Sequence, residues 1–142
     1  MLMETQALGY IKKNFDDLDL NKCISRLVYG SQIMKIAKKG SNKPLNALFH
    51  IMENDISKLT WSINKMGMKR SVLDLKSVTN ISEIPLFVSK AIRNYNSSLL
   101  LSVQYMNGKE LILFFNTVDV KREWWCGLQY FVEEAQKSTK EK

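Results

Sequence analysis

The sequence predicts a mainly β domain that ends in one long α-helix. Residues 31–115 contain short apolar segments that alternate with polar positions and are separated by turn-forming residues, a pattern typical of β-strands. The pair Asn107-Gly108 lies between two such segments and is a strong hairpin signal, because both residues of the tight turn need a positive φ. Residues 116–136 instead repeat their apolar side chains at helical spacing.

Length and composition set the bounds of the interpretation. With 142 residues, of which 45% are hydrophobic, the chain is long enough for one folded domain without a metal or a disulfide. No apolar segment approaches the ~20 residues that cross a bilayer, and no signal-peptide pattern is present. Cys23 and Cys126 form no metal or redox motif, which fits a reducing cytosol.

The first part of the chain, residues 1–30, is predicted to be a helical extension. Residues 1–14 are expected to form a loosely attached helix with weak capping signals. A short helix is predicted from Asp19 to Leu27, because acidic residues precede it and Arg26 lies near its end, as the helix dipole favours.

Residues 31–137 are predicted to form the body of the domain, and most of it reads as strands. The strand-like segments are Ser31–Ala37, Ala47–Met52, residues 59–63, Val72–Leu75, Val78–Ile81, Leu99–Tyr105 and Glu110–Phe115. The stretch Glu83–Asn96 between the fifth and sixth of these segments is predicted to be a long loop with one helical turn.

The terminal helix has its own start signal and apolar stripe. Thr117 is the predicted N-cap, and Asp119 lies in the first turn near the positive end of the dipole. The stripe consists of Val120, Trp124, Leu128, Phe131 and Ala135. Gly127 lies beside the stripe and is expected to let the helix approach a sheet closely. Residues 138–142 are predicted to be a disordered tail.

The positive charge of the chain is concentrated in one segment. The net charge is +7, and residues 31–70 alone hold eight basic and two acidic residues, a balance of +6. The terminal segment 117–142 holds five of each. A concentrated basic surface indicates an anionic partner, which can be a phospholipid, a nucleic acid or an acidic protein.

The order of these elements resembles the pleckstrin-homology (PH) family. The motif Trp124-x-x-Gly127-Leu128 on the last helix matches the family's tryptophan. The resemblance is strongest to the PH domains of phospholipase C, where a short helix leads into a segment like Leu27–Gln32 and the third strand carries a tryptophan like Trp61. This resemblance implies about seven strands in two packed antiparallel sheets, with one end closed by the C-terminal helix.

The resemblance also implies a binding site, because the family commonly holds phosphoinositide headgroups between the loops after strands one and three. Lys35 matches the family's strand-one lysine, and Lys65 matches a basic position of the later loop. Leu45 and Ala47 stand where the family has basic residues in strand two, and Ala37 replaces a second strand-one lysine. The arginine that clamps a ring phosphate with two hydrogen bonds is therefore missing.

From this comparison we predict a membrane-binding surface on two loops. The predicted lipid-binding residues are Lys35, Lys38, Lys39, Lys43, Lys65, Lys69 and Arg70. Each basic residue near an anionic leaflet contributes about 1 kcal/mol of binding free energy. Leu45, Met66 and Met68 are predicted to insert among the headgroups, and the alternative is that they pack over the open end of the barrel.

In composition and in its incomplete inositide motif, the chain is also similar to PH proteins of apicomplexan parasites that have an acylated N-terminus and bind phosphatidic acid. It departs from that group at Met1-Leu2-Met3, which lacks the Met-Gly of N-myristoylation. We expect either an unlipidated protein or a chain whose natural start is missing. Phosphatidic acid and phosphoinositides both remain candidate ligands.

Catalysis and nucleic-acid binding are not supported by the sequence. His50 is the sole histidine, so no triad or histidine-based metal site is predicted, and no cofactor is expected. The aromatic residues Phe49, Trp61, Phe115 and Trp124 fall on core-facing positions instead of on a stacking surface.

The hypothesis is therefore a non-catalytic, monomeric module in the cytoplasm, peripheral on the cytosolic face of a membrane. The alternative is a module that binds a partner protein without specific lipid binding. The stretch Glu83–Asn96 and the side chains of Trp125 and Tyr130, expected on the solvent side of the helix, would then form the surface.

Overall fold

The structure is a computed structural model that describes residues 13–36, 45–62, 70–86, 93, 95–106 and 108–140. The helices are α1 (Leu20–Tyr29) and α2 (Val118–Lys140), and two short 3₁₀ helices span Leu75–Ser77 and Ser97–Leu99. The strands are β1 (Ser31–Ile36), β2 (Leu45–Met52), β3 (Asp55–Ser62), β4 (Ser71–Asp74), β5 (Val78–Ser82), β6 (Leu100–Tyr105) and β7 (Lys109–Phe114). The mainly β class, the seven strands and the terminal helix are confirmed.

The seven strands form one antiparallel sheet in the order β4-β3-β2-β1-β7-β6-β5. The sequence-based expectation of two packed sheets is corrected at the β1–β7 pair. There Met34 lies opposite Phe114 and Ile36 lies opposite Ile112, so the hydrogen bonding continues from one half to the other.

The sheet must be strongly curled, because its two edge strands are neighbours in sequence. In a flat sheet β4 and β5 would lie about 29 Å apart, which is six steps of about 4.8 Å. The link between Asp74 and Val78 holds only the 3₁₀ helix Leu75–Ser77 and spans at most about 15 Å. The curled sheet therefore encloses a core along its inner face.

The inner face of the sheet and the apolar stripe of α2 form the main core. Phe49 and Trp61 stack there with ring centroids 5.2 Å apart, and both are buried. Phe115 and Trp124 are buried in the same cluster, as the sequence predicts. A second, smaller cluster on the outer face joins Ile36, Leu100 and Ile112 under Tyr95 and Phe114.

The predicted short helix is present as α1 and is packed against α2. The backbone N–H of Asn21 donates to Oδ1 of Asp19 over 3.0 Å, so Asp19 is the N-cap. Cys23 and Leu27 are buried among the residues of the main core. Of the predicted helix over residues 1–14, only 13 and 14 are described, and neither is helical.

Gly127 permits a close approach, but to α1 and not to the sheet. A Cβ atom at this position would lie 2.6 Å from Cδ1 of Leu27 and 3.1 Å from the backbone oxygen of Cys23. The apolar stripe correctly predicts which side of α2 faces the sheet. It does not reveal that a second helix lies against the neighbouring side.

The ends of α2 are partly as expected. The Val120 N–H donates to Oγ1 of Thr117 over 3.1 Å, which confirms the predicted N-cap. The helix continues to Lys140, so residues 138–140 of the predicted tail are helical. Lys137 forms an ion pair at 3.4 Å with Glu134, one turn earlier, and such pairs support a polar helix end.

Candidate lipid-binding site at the open end of the sheet

The strand register brings the ends of both basic loops to one end of the sheet. Lys35, near the end of β1, lies opposite Leu45 at the start of β2. Ser62 at the end of β3 pairs with Leu48 in β2, and Ser71 at the start of β4 pairs with Trp61 in β3. The connections 37–44 and 63–70 therefore leave and re-enter the sheet at the same end.

Lys35 is directed toward the mouth of the curled sheet. Side chains alternate along a strand, so Ser31, Ile33 and Lys35 share one face of β1. Ile33 is buried in the main core, which identifies this face as the inner one. Lys35 is half-buried, and it is the last of these three residues before the first basic loop. It can therefore line the entrance to the enclosed space.

Arg70 is exposed directly before β4, at the base of the second basic loop. The predicted residues Lys38, Lys39, Lys43, Lys65, Lys69, Met66 and Met68 lie outside the described part of the chain. Leu45 is the first residue of β2, and only its backbone is described. Ala47, which was expected at one of the family's basic positions in strand two, is buried.

The β6–β7 turn adds two residues that sequence reasoning missed. It lies at the same end of the sheet, because Ile36 pairs with Ile112 while β7 begins at Lys109. Met106 is 54% exposed with a φ of 51°, and Gly108 has a φ of 80°. Lys109 is also exposed. The Asn-Gly signal predicts this turn, but only the strand order reveals that it lies beside the basic loops.

Helix α2 closes the opposite end. Nε1 of Trp124 donates a 3.0 Å hydrogen bond to Oγ of Ser31, the first residue of β1. Strand β1 holds six residues, so this contact of Trp124 and the first basic loop lie about 17 Å apart along it.

No protein-family model and no curated protein sequence matches the chain. Solved structures do match. Inner Membrane Complex Sub-compartment Protein 1 from Toxoplasma gondii is 15% identical, with 89% of this chain and 98% of that chain covered at a TM-score of 0.61. The PH domain of human oxysterol binding protein-related protein 11 is 17% identical over 77% of this chain and 82% of that one, at 0.57. The chain has the pleckstrin-homology fold.

The phospholipase C likeness is also present at the level of the fold. L. pealei PLC21 is 14% identical with a TM-score of 0.61 over 75% of this chain, which corresponds to 16% of that longer chain. Identities this low establish the fold alone. The further resemblance to acylated parasite PH proteins stays a prediction.

The long helix α2 is covered on the side that was expected to face solvent. Trp125 is only 7% exposed, and the Phe15 ring meets it edge-on with centroids 5.3 Å apart. Tyr130 is half-buried and contacts the Phe131 ring. The prediction of a solvent-side Trp125 is therefore wrong, because the segment before α1 folds over this side of the helix.

Hydrogen bonds and ion pairs hold that covering segment in place. The Lys13 N–H donates to Oε1 of Gln129 over 2.7 Å, and Asp17 pairs with Arg122 at 2.8 Å. The guanidinium of Arg122 hydrogen-bonds the Asp17 carboxylate and keeps the pKa of Asp17 below its ordinary value of 3.8. On α1, Arg26 and Lys22 both pair with Glu123 of α2.

The histidine and the two cysteines lie in surroundings that are typical of structural residues. Nε2 of His50 lies 3.1 Å from Oγ1 of Thr60, and Nδ1 lies 3.2 Å from the carbonyl oxygen of Ile51. Burial raises the pKa of the Cys23 thiol to about 12 and also raises the pKa of Cys126. Thiols with raised pKa values are poor nucleophiles at neutral pH.

No group of three histidine, cysteine, aspartate or glutamate side chains in the described part of the chain is arranged to hold a metal ion. Within the same ranges, no helix combines the length and the hydropathy that spanning a bilayer requires.

Proposed function

We propose that this PH domain is a non-catalytic module that binds the anionic surface of a membrane through the loops after β1 and β3. The observation that carries the proposal is the position of the charge relative to the fold. Six of the seven excess positive charges fall between residues 31 and 70, and this segment contains both loops. The ends of both loops lie at one end of the sheet, opposite α2.

The paired and unpaired cations of this segment support the same interpretation. Lys58 lies within strand β3 and forms an ion pair with Asp74 at 3.3 Å, so it is engaged inside the domain. Lys35 and Arg70 have no carboxylate partner among the described residues. The proposed lipid contacts are Lys35, Lys38, Lys39, Lys43, Lys65, Lys69 and Arg70, with Leu45, Met66 and Met68 as the proposed inserting residues.

The missing strand-two arginine favours a simple phosphate over an inositol ring. Leu45 and Ala47 offer no hydrogen-bond donors from their side chains, so a ring phosphate would lose its two-point clamp. A phosphomonoester such as that of phosphatidic acid needs fewer donors in fixed positions. We therefore infer phosphatidic acid as the preferred ligand and phosphoinositides as the second candidate, bound by a monomer at the cytosolic face of a membrane.

Co-sedimentation with vesicles tests this proposal. Vesicles of phosphatidylcholine should leave the protein in the supernatant, and vesicles with 20% phosphatidic acid, phosphatidylserine or a phosphoinositide should sediment it. Binding that rests on surface charge should weaken steeply as salt rises from 0.05 to 0.3 M, because salt screens the attraction.

The relative affinities for the three anionic lipids identify the ligand class. A clear preference for phosphatidic acid at equal surface charge supports the phosphomonoester assignment, and a preference for a phosphoinositide contradicts it. Failure to sediment with any of the three vesicles at 0.05 M salt contradicts membrane binding itself.

A further inference from the structure

A groove that is separate from the proposed lipid surface lies between strand β5 and helix α2. Its wall on the sheet side is the run 80–84, and its other wall contains Trp125 and Lys13. The groove has a volume of about 330 Å³, within the range of known ligand sites. It contains none of the residues of the proposed lipid surface.

Strand β5 is an edge strand, which leaves one side of its backbone unpaired with another strand. In the described part of the chain it pairs with β6 alone, at the end of the sheet order. An edge of this kind is a template on which an extended peptide can add as a further strand.

Two side chains of α2 hold the helix at a fixed separation from this edge. At one end, Nζ of Lys121 pairs with Oε2 of Glu83 at 2.7 Å and donates to the carbonyl oxygen of Ser98 at 2.9 Å. At the other end, Nε2 of Gln136 donates to the carbonyl oxygen of Val78 at 2.7 Å. The edge between these bonds is short, and a strand of three residues paired along 80–82 would span about 10 Å.

The groove presents an apolar side chain at its rim. Ile84 is 74% exposed, although its backbone N–H is held by Oγ of Ser82 at 3.0 Å. Ile81 and Trp125 are buried beneath the groove. Leu86, two residues beyond Ile84, is 61% exposed and extends the apolar rim. A partner side chain placed on Ile84 would remove apolar surface from water on both molecules.

The charged side chains of the groove indicate which charge its partner should carry. The carboxylate of Glu83 is paired with Lys121, whose side chain is buried, so these two charges offset one another. The ammonium of Lys13 lies 5.4 Å from the centroid of the Trp125 ring and has no carboxylate partner among the described residues. The groove therefore carries an uncompensated positive charge at one wall and is complementary to a carboxylate.

We propose that this groove binds a short extended peptide of a partner protein, in which apolar and acidic side chains alternate. The peptide adds to the free edge of β5, places a carboxylate near Lys13 and sets an apolar side chain on Ile84. Because only about three residues can pair, we expect a weak and reversible complex with a Kd of about 0.1 to 1 mM. The proposal does not depend on lipid binding at the opposite end of β1.

The test uses the whole 142-residue chain, labelled with ¹⁵N, and a blocked hexapeptide that alternates valine and glutamate. Addition of the peptide should shift the amide signals of residues 80–84 and the indole signal of Trp125 in a saturable manner. A second peptide has the same side chains but N-methyl groups on the residues that would pair with β5. It should bind at least tenfold more weakly, because it cannot donate the strand hydrogen bonds.

The charge assignment has its own variant and a matched control. K13E should weaken binding of the glutamate peptide about fivefold and favour a peptide that alternates valine and lysine. K22E changes an exposed lysine on α1 that does not line the groove, and it should leave both affinities unchanged. No saturable shift at residues 80–84 up to 5 mM peptide, equal binding of the N-methylated peptide, or no change of preference in K13E would overturn the proposal.

Discussion

The charged side chains at the two ends of strand β1 differ in whether they have partners of opposite charge. At the helix end, Glu123 accepts Arg26 and Lys22, and Arg122 pairs with Asp17, so the charges of this end are matched within the domain. At the loop end, Lys35 and Arg70 find no carboxylate among the described residues. We therefore expect the binding surface to lie where the fold leaves basic side chains without a carboxylate partner, and not simply where the net charge is high.

The two ends also differ in burial, and we expect one to matter for stability and the other for binding. Hydrophobic burial at the helix end covers both sides of α2, since Trp124 packs toward the sheet and Trp125 packs under Phe15. The loop end contributes exposed residues such as Arg70, Met106 and Lys109. We therefore expect substitutions at the helix end to change the free energy of unfolding, and substitutions at the loop end to change vesicle affinity.

The largest expected effect is that of F15A at the helix end. It removes a buried ring and its edge-on contact with Trp125, and it should lower the free energy of unfolding by about 3 kcal/mol. Chemical denaturation measures this change. Vesicle affinity of the folded variant should equal that of the wild type, and a matching loss of affinity would contradict the separation of the two ends.

The next effect is expected at the loop end, for the double variant K35A/K65A. Loss of two cations at about 1 kcal/mol each should weaken binding to anionic vesicles about thirtyfold, with the free energy of unfolding nearly unchanged. The control is K76A, which removes a lysine on the 3₁₀ helix after β4, outside the proposed surface. Unchanged affinity in K35A/K65A would mean that the loops after β1 and β3 are not the site.

A smaller effect is expected for G127A, which tests the contact between the two helices. In an isolated helix this change would stabilise by about 1 kcal/mol. Here the new Cβ atom would meet Leu27 and the backbone of Cys23, and overpacking of this kind costs about 1 to 3 kcal/mol. The net result should be a destabilisation of about 1 kcal/mol in thermal or chemical denaturation. A gain in stability would show that α1 is held loosely.

The smallest effect is the acid dependence of the Asp17–Arg122 pair. The pKa of Asp17 is lowered from 3.8 in the folded state, so its contribution to stability is present above pH 4 and is lost as the pH falls below that value. In D17N, the free energy of unfolding should therefore fall less between pH 4 and pH 2.5 than it does in the wild type. Above pH 5, its dependence on pH should be the same in both proteins. An unaltered decline in D17N would show that the pair adds no acid sensitivity.

Local sequence patterns were sufficient to predict the strands, the long helix and much of the inner core. Alternation of apolar and polar residues predicted the strands, the Asn-Gly pair predicted the hairpin, and the helical stripe predicted that Trp124 is in the core. The β6–β7 turn was found by the same rules, yet Met106 and Lys109 were not seen as part of the loop end. Their position follows from the β1–β7 pairing, and two strands so far apart in sequence leave no local signal of their partnership.

The sequence by itself determined the strand-rich class, the N-cap of α2 and the segment that carries the positive charge. These are local properties, set by backbone preferences and by the spacing of side chains along one element. Only the tertiary structure decided that one continuous sheet curls until β4 and β5 approach, that Gly127 faces α1, and that Trp125 is covered by Phe15. The reason is physical, because each of these outcomes depends on which distant surfaces bury one another best, and periodicity describes only one surface at a time.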